Sequence, residues 1–172
     1  LEQSYMPEML KQNSFDTICH EHLEYYGLRQ IVWIAEAAGL KIIDVNFNDI
    51  NGGSFSIVAA RADSAITPNT EKIVTILANE QAQGLDSPEP YADFNNRIQD
   101  IREHLRAKIR GIQGEGRIIY ALGASTKGNV TLQYCGLDET FLPLVGEVNP
   151  DKFGAFTPGT LIPIISEVDL LA

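Results

Sequence analysis

The sequence predicts an α/β protein, and two observations carry that class. Arg117-Ile118-Ile119-Tyr120-Ala121-Leu122 is a short, apolar, β-rich run of the kind buried on both faces of a parallel sheet. A small-residue turn, Gly123-Ala124-Ser125-Thr126-Lys127-Gly128-Asn129, then leads through a helix at about 128–135 to a second such run, Leu142 to Val148. Strand, helix and strand in this order form a βαβ unit, hence a Rossmann-like domain. Ile162-Pro163-Ile164 adds a third strand-like segment after a loop rich in Pro and Gly.

The remaining elements follow from periodicity and caps. Residues 3–12 read as a short helix, and 28–38 as another, with Ile31, Ile34, Ala35 and Ala38 at helical spacing and a stop at Gly39. Leu40 to Val45 and Ser54 to Ala60 are strand-like, and Asn48-Asp49-Ile50-Asn51-Gly52-Gly53 between them is turn chemistry that predicts an antiparallel pair. Thr67-Pro68 starts a helix running to about Gln83. Phe94, Ile98, Ile101, Leu105, Ile109 and Ile112 recur three and four apart, which predicts a helix over 89–113. Leu1 opens without a methionine, and Glu167 to Ala172 reads as a strand beginning, so the chain is expected to be part of a longer one.

Composition narrows the function. A formal net charge of −10 over 172 residues lacks the basic footprint that nucleic-acid binding needs. No apolar run approaches the roughly 18 residues of a membrane span. Cys19 and Cys135 lie too far apart in sequence to read as a metal-ligand pair, and two cysteines make no disulfide framework. A reduced, cytoplasmic protein is the expectation.

Four segments carry chemistry. Cys19-His20-Glu21-His22 flanks a carboxylate with two imidazoles, but its spacing is not that of the metalloprotease helix, and four adjacent residues are sterically unsuited to one metal. A histidine tuned by a neighbouring carboxylate suits proton transfer, with interface or capping roles an equal alternative. The 123–129 turn, between a strand and a helix, suits an anion through its backbone N–H groups, Lys127, Ser125, Thr126 and Asn129. It has neither the P-loop nor the dinucleotide pattern. Asn51-Gly52-Gly53-Ser54 reads by itself as a hairpin turn. Glu147 and Asn149 lie at the carboxyl end of the second strand, where α/β sheets hold ligands. His104, beside the stripe of the long helix, reads as a solvated residue.

In combination, Phe15-Asp16-Thr17-Ile18-Cys19-His20-Glu21-His22-Leu23, Gly52-Gly53-Ser54-Phe55, Gly123 to Asn129 and Glu147-Val148-Asn149-Pro150 resemble the sugar C-methyltransferase family of deoxysugar biosynthesis. The resemblance implies the tail of a SAM-dependent methyltransferase Rossmann domain over 1–62 and a Rossmann-like C-terminal domain over 63–172. It also implies that S-adenosyl-L-methionine is the cofactor, its site mostly upstream of this chain, with zinc in an N-terminal module. On that map the fragment is inactive alone. The implied reaction is C-methylation of a nucleotide-linked keto-deoxysugar through an enolate. His22 is then the base and Glu21 its partner, while His20, Ser125, Thr126, Lys127, Asn129, Glu147 and Asn149 hold the nucleotide-sugar.

Two positions depart from the family pattern: Cys19 stands where members often carry tyrosine, and Asn51-Gly52-Gly53-Ser54-Phe55-Ser56 stands where they often read His-Gly-Gly-Ser-Leu-Arg. Two other functions stay open from the residues. One is a non-catalytic nucleotide-sugar binding module. The other is a fragment of a nicotinamide-dependent oxidoreductase, against which the missing dinucleotide spacing counts.

Overall fold

The structure is a computed structural model and describes residues 1–172, the side chain of Asn51 excepted. The chain divides into two compact units, residues 1–14 with 22–96 and residues 15–21 with 97–172. The two units part between residues 96 and 97, inside a long helix.

The first unit is built on an antiparallel sheet in the order β1 (Glu2–Ser4), β3 (Ser54–Arg61), β2 (Leu40–Asn48). The predicted hairpin is present, and its register pairs Leu40 with Arg61 and Asn48 with Ser54. Ile42 and Val45 are both buried although they stand three residues apart. The ladder slips between Ile42 and Asp44, and a bulge of this kind moves the inward face by one residue. The turn is longer than the two-residue type: a 3₁₀ turn, Ile50–Gly52, precedes Gly53 at φ 111°. There a Cβ would lie 2.5 Å from Cγ of Glu8, so glycine is required both for its backbone and for its bareness.

The segment read as one helix over 3–12 divides into β1 and α1 (Met6–Gln12). The early residues prefer the ladder because β3 offers an edge: Glu2 pairs with Ser56 and Ser4 with Ser54. α2 (Leu28–Ala37) and α3 (Thr70–Ala82) both contact β2. Leu28, Ile31, Ala35, Ile42, Val45, Phe55, Ile57 and Ile76 form one core with Tyr5. α3 begins two residues later than a cap at Thr67 predicts, with Asn69 in the cap position. Asn69 N–H donates to the Ile43 carbonyl at 2.8 Å, which holds the preceding residues extended along the sheet.

A buried carboxylate joins these parts. Glu80 of α3 accepts from Leu28 N–H at 2.5 Å and Arg29 N–H at 3.1 Å, two of the orphan donors at the start of α2. It also accepts from the Tyr5 hydroxyl at 2.9 Å. Burial first, and then this carboxylate, raise the Tyr5 pKa. Gly27, which precedes α2, has no side chain to do the capping.

The part of α4 (Glu89–Gly114) that lies in the second unit, from Arg97 on, presents Ile98 and Ile109 inward as its stripe predicted, while Ile101 and His104 are exposed. β4 (Ala121–Leu122), β5 (Val145–Glu147) and β6 (Ile164–Ser166) form a parallel sheet in that order, with α5 (Thr126–Cys135) joining β4 to β5. The α/β character therefore stands. The strand read over 117–122 shortens to two residues, because only Ala121 and Leu122 find partners, Val145 and Gly146. Nor is the run buried on both faces: Ile118 is 67% and Leu122 60% exposed. The last residues form a helix, α6 (Glu167–Leu171), instead of a strand. Ser166 caps it, its Oγ accepting from Asp169 N–H at 3.0 Å, so the Ser-Glu-Val-Asp spacing is a helix start that outweighs the apolar tail.

Replacing Glu80 by Ala strands two helix amides and a buried phenol. We expect a loss of about 2–4 kcal/mol, read as a lower urea midpoint for the first unit through Trp33 fluorescence, with Glu80→Gln losing less.

Candidate functional site

The parallel sheet of the second unit delivers its loops to one edge. Gly123, at φ 86°, turns the chain out of β4, and its N–H donates to the Gly146 carbonyl at 2.7 Å. Ser125 is the N-cap of α5, its Oγ accepting from Gly128 N–H at 3.0 Å, which explains why the helix opens two residues earlier than predicted. Thr126 and Lys127 occupy the first helical positions, where amides and dipole favour an anion. Asn129 folds back, its Nδ2 donating to the Ser125 carbonyl at 3.0 Å. Its Oδ1 is enclosed and accepts no hydrogen bond among the described residues.

Glu147 ends β5 and is only 6% exposed. Its Oε2 accepts from Ala124 N–H at 2.8 Å and contacts Lys152 Nζ at 3.3 Å. Its Oε1 accepts from the N–H groups of Val148 at 2.8 Å and Asn149 at 3.1 Å. Lys152 Nζ also donates to the Ala124 carbonyl at 2.9 Å. Asn149 caps the following 3₁₀ turn, Pro150–Lys152, its Oδ1 accepting from Asp151 N–H at 3.0 Å. Both residues predicted as ligand contacts therefore already hold backbone in this edge.

A short 3₁₀ turn, Phe15–Thr17, packs on α5 through Phe15 and Tyr134, ring centroids 5.0 Å apart. Beside it opens a groove of about 550 Å³, within the range of small-molecule sites. Cys19 and His20 line it with Thr126, Asn129, Gln133 and Pro158. Gln133 Nε2 donates to the Pro158 carbonyl at 2.8 Å and fixes that wall. Three predicted residues, His20, Thr126 and Asn129, thus meet in one groove. Ser125 and Lys127 lie in the same first turn of α5 without lining it.

His20 Nε2 stands 3.9 Å from Glu21 Oε1, both side chains exposed. His22 belongs to the first unit, half-buried, its carbonyl accepting from the Tyr25 hydroxyl at 3.0 Å. Among the described residues no three His, Cys, Asp or Glu side chains converge as metal ligands, and no helix is long and apolar enough to cross a membrane. Lys152, Gln133 and Tyr134 escaped the sequence reading. Lys152 carried one faint signal, a cation five residues after a strand-end carboxylate.

The backbone donors of Asn149, Ala124 and Val148, with Lys152 added, hold the Glu147 carboxyl well below the usual carboxylate range, at about 2. A carboxyl depressed by folding contributes stability that is complete above its ordinary value of 4.5 and drains away as pH falls towards 2. Urea midpoints followed through α5 amide signals should fall across that window in the wild type, and less steeply in Glu147→Gln.

Comparison with known proteins places this geometry. The profile of the "C-methyltransferase C-terminal domain" matches residues 49–172. The C-methyltransferase NovU of Streptomyces niveus is 35% identical over 168 residues, 96% of this chain. The chain spans 39% of that relative's length. With a βαβ unit and a glycine turn inside the matched region, the chain belongs to the C-methyltransferase C-terminal domain family.

Proposed function

We propose that this chain serves SAM-dependent C-methylation of a nucleotide-linked keto-deoxysugar, as part of a longer polypeptide, by holding the sugar nucleotide and removing a proton from it. The observation that carries this reading is the groove of the second unit, where an imidazole, a hydroxyl and an amide line one wall system at the first turns of α5. Asn129 supports it further. An enclosed acceptor without a donor is uncommon in folded proteins, and beside a groove it suits a donor brought by a ligand.

The reaction needs a carbon nucleophile. A keto group acidifies the neighbouring C–H bond; that bond breaks, its electron pair becomes the enolate, and the proton passes to His22. An imidazole can accept that proton, and Glu21 supports it as the charged form develops. His20, Ser125, Thr126, Lys127 and Asn129 hold the nucleotide-sugar, so that positioning supplies much of the rate. S-adenosyl-L-methionine supplies the methyl group. The first unit does not form a cradle for it: its sheet is antiparallel and its glycine turn is a hairpin loop, not the strand-to-helix turn of a Rossmann domain. No residue here is therefore assigned to the donor. A zinc module likewise has no counterpart among the described side chains.

His22→Ala in the whole polypeptide should reduce methyl transfer to a keto-deoxysugar nucleotide by at least about a hundredfold while SAM binding, followed by calorimetry, stays within twofold of wild type, roughly. Unchanged turnover removes His22 from its role. Tight binding of nucleotide-sugars by a polypeptide that never methylates them favours the non-catalytic module instead.

A further inference from the structure

We infer that Glu147 and Lys152 act as a positioning pair for the proposed nucleotide-sugar groove, clamping both polar groups of the Ala124 peptide so that the first turn of α5 is preset before ligand arrives. The inference rests on the reading of that groove given above. It revises the expected role of Glu147 from ligand contact to support, and it adds Lys152.

The geometry argues for a clamp. Ala124 is the residue before the Ser125 cap, so its orientation sets where α5 begins. Its N–H is held by Glu147 Oε2 at 2.8 Å and its carbonyl by Lys152 Nζ at 2.9 Å. The same two side chains meet at 3.3 Å, so the carboxylate, the ammonium and the peptide close a ring of charge-assisted contacts. Glu147 fills its other oxygen with two consecutive amides, Val148 and Asn149, which ties the loop after β5 to the turn after β4. Both lone pairs of each oxygen are thus directed at donors already in place, with little capacity left for a ligand. Glu147 is also nearly closed to solvent, whereas a residue that binds ligand through its carboxylate needs access.

The clamp further decides which charges face a ligand. A turn rich in small residues would offer its first amide to any anion; here the protein's own carboxylate occupies that amide, and Lys152 balances it. Ligand contacts then fall to groups farther along α5, among them Thr126 and Asn129 on the groove wall. Outside this edge, the exposed apolar residues Trp33 and Ile34 on α2 offer no observation of what would cover them.

The test uses the whole polypeptide proposed above, carrying these 172 residues, with uridine diphosphate-glucose and thymidine diphosphate-glucose as probes. Wild type, Glu147→Gln, Lys152→Met and Lys152→Arg are titrated by calorimetry, with unfolding midpoints and the Ala124 amide signal recorded alongside. Lys152→Met retains the carboxylate and its three backbone donors, so it keeps the test alive if Glu147→Gln fails to fold. We expect Lys152→Met to weaken probe binding about tenfold at an unchanged midpoint, Lys152→Arg to restore most of it, and Glu147→Gln to shift the Ala124 amide upfield with a comparable loss. Wild-type affinity in both Lys152→Met and Glu147→Gln would overturn the positioning role while leaving the groove reading intact. A midpoint that falls in step with affinity, with no recovery in Lys152→Arg, would make the pair merely structural and overturn it as well. Silence of the wild type towards both probes would overturn the groove reading and this inference together.

Discussion

The amides that open at helix starts and strand ends must find acceptors, and the structure meets that constraint with two buried carboxylates. Glu147 takes three backbone N–H groups from two loops of the second unit. Glu80 takes two from the start of α2 and a phenol from the residue that begins the first helix region. At α2 the N-cap, Gly27, has no side chain; at α5 Ser125 caps the helix itself, and Glu147 takes the amide of the residue before that cap. A distant carboxylate does what a serine or aspartate does locally elsewhere, and in doing so it links elements far apart in the chain. Glu80 and Leu28 are 52 residues apart, Glu147 and Ala124 are 23.

The two carboxylates differ in their surroundings, and the difference matters for chemistry. Glu80 is met by neutral donors in a core of aliphatic and aromatic side chains, so its service is to stability. Glu147 is met by a lysine as well, at the edge of a parallel sheet where loops gather, and the same contacts that stabilise it fix the entrance to α5. A charge that is balanced within its own loop can stand beside an anion site without repelling the anion strongly. This is how a carboxylate comes to sit at the mouth of a turn whose small residues and helix dipole suit phosphate.

Local signals were legible in the sequence where they were complete in themselves. The hairpin of β2 and β3, the stripe on α4 and the turn-to-helix passage at 123–129 each declare their partners through spacing alone. What stayed illegible depends on partners remote in sequence. β1 is a three-residue strand that exists because β3 has a free edge. Residues 117–120 have strand chemistry but no neighbouring strand to pair with, so only Ala121 and Leu122 enter the ladder. The end at 167–172 differs in kind, because Ser166 and Asp169 stand at capping spacing and that local signal outweighs the apolar pattern. In the site, residue types located the 123–129 turn, and the groove does gather His20, Thr126 and Asn129. Glu147 and Asn149 were found by position at a strand end, but position does not reveal whether a polar side chain faces ligand or backbone. That depends on where amide groups point, which sequence does not record.

The overall charge of the chain bears on the same site. A net charge of −10 disfavours the approach of a diphosphate from a distance. At physiological ionic strength, however, charges beyond about 8 Å are largely screened, so the ligand chiefly meets the groups nearest the groove. Those are an imidazole, an amide, a hydroxyl and the positive end of α5, with Lys127 in its first turn. Long-range repulsion of this kind slows encounter more than it weakens the bound state, since affinity is decided by desolvated contacts at short range. For the proposed ligand the free energy of binding then comes from donors at short range, and holding the start of α5 in place is what the Ala124 clamp does.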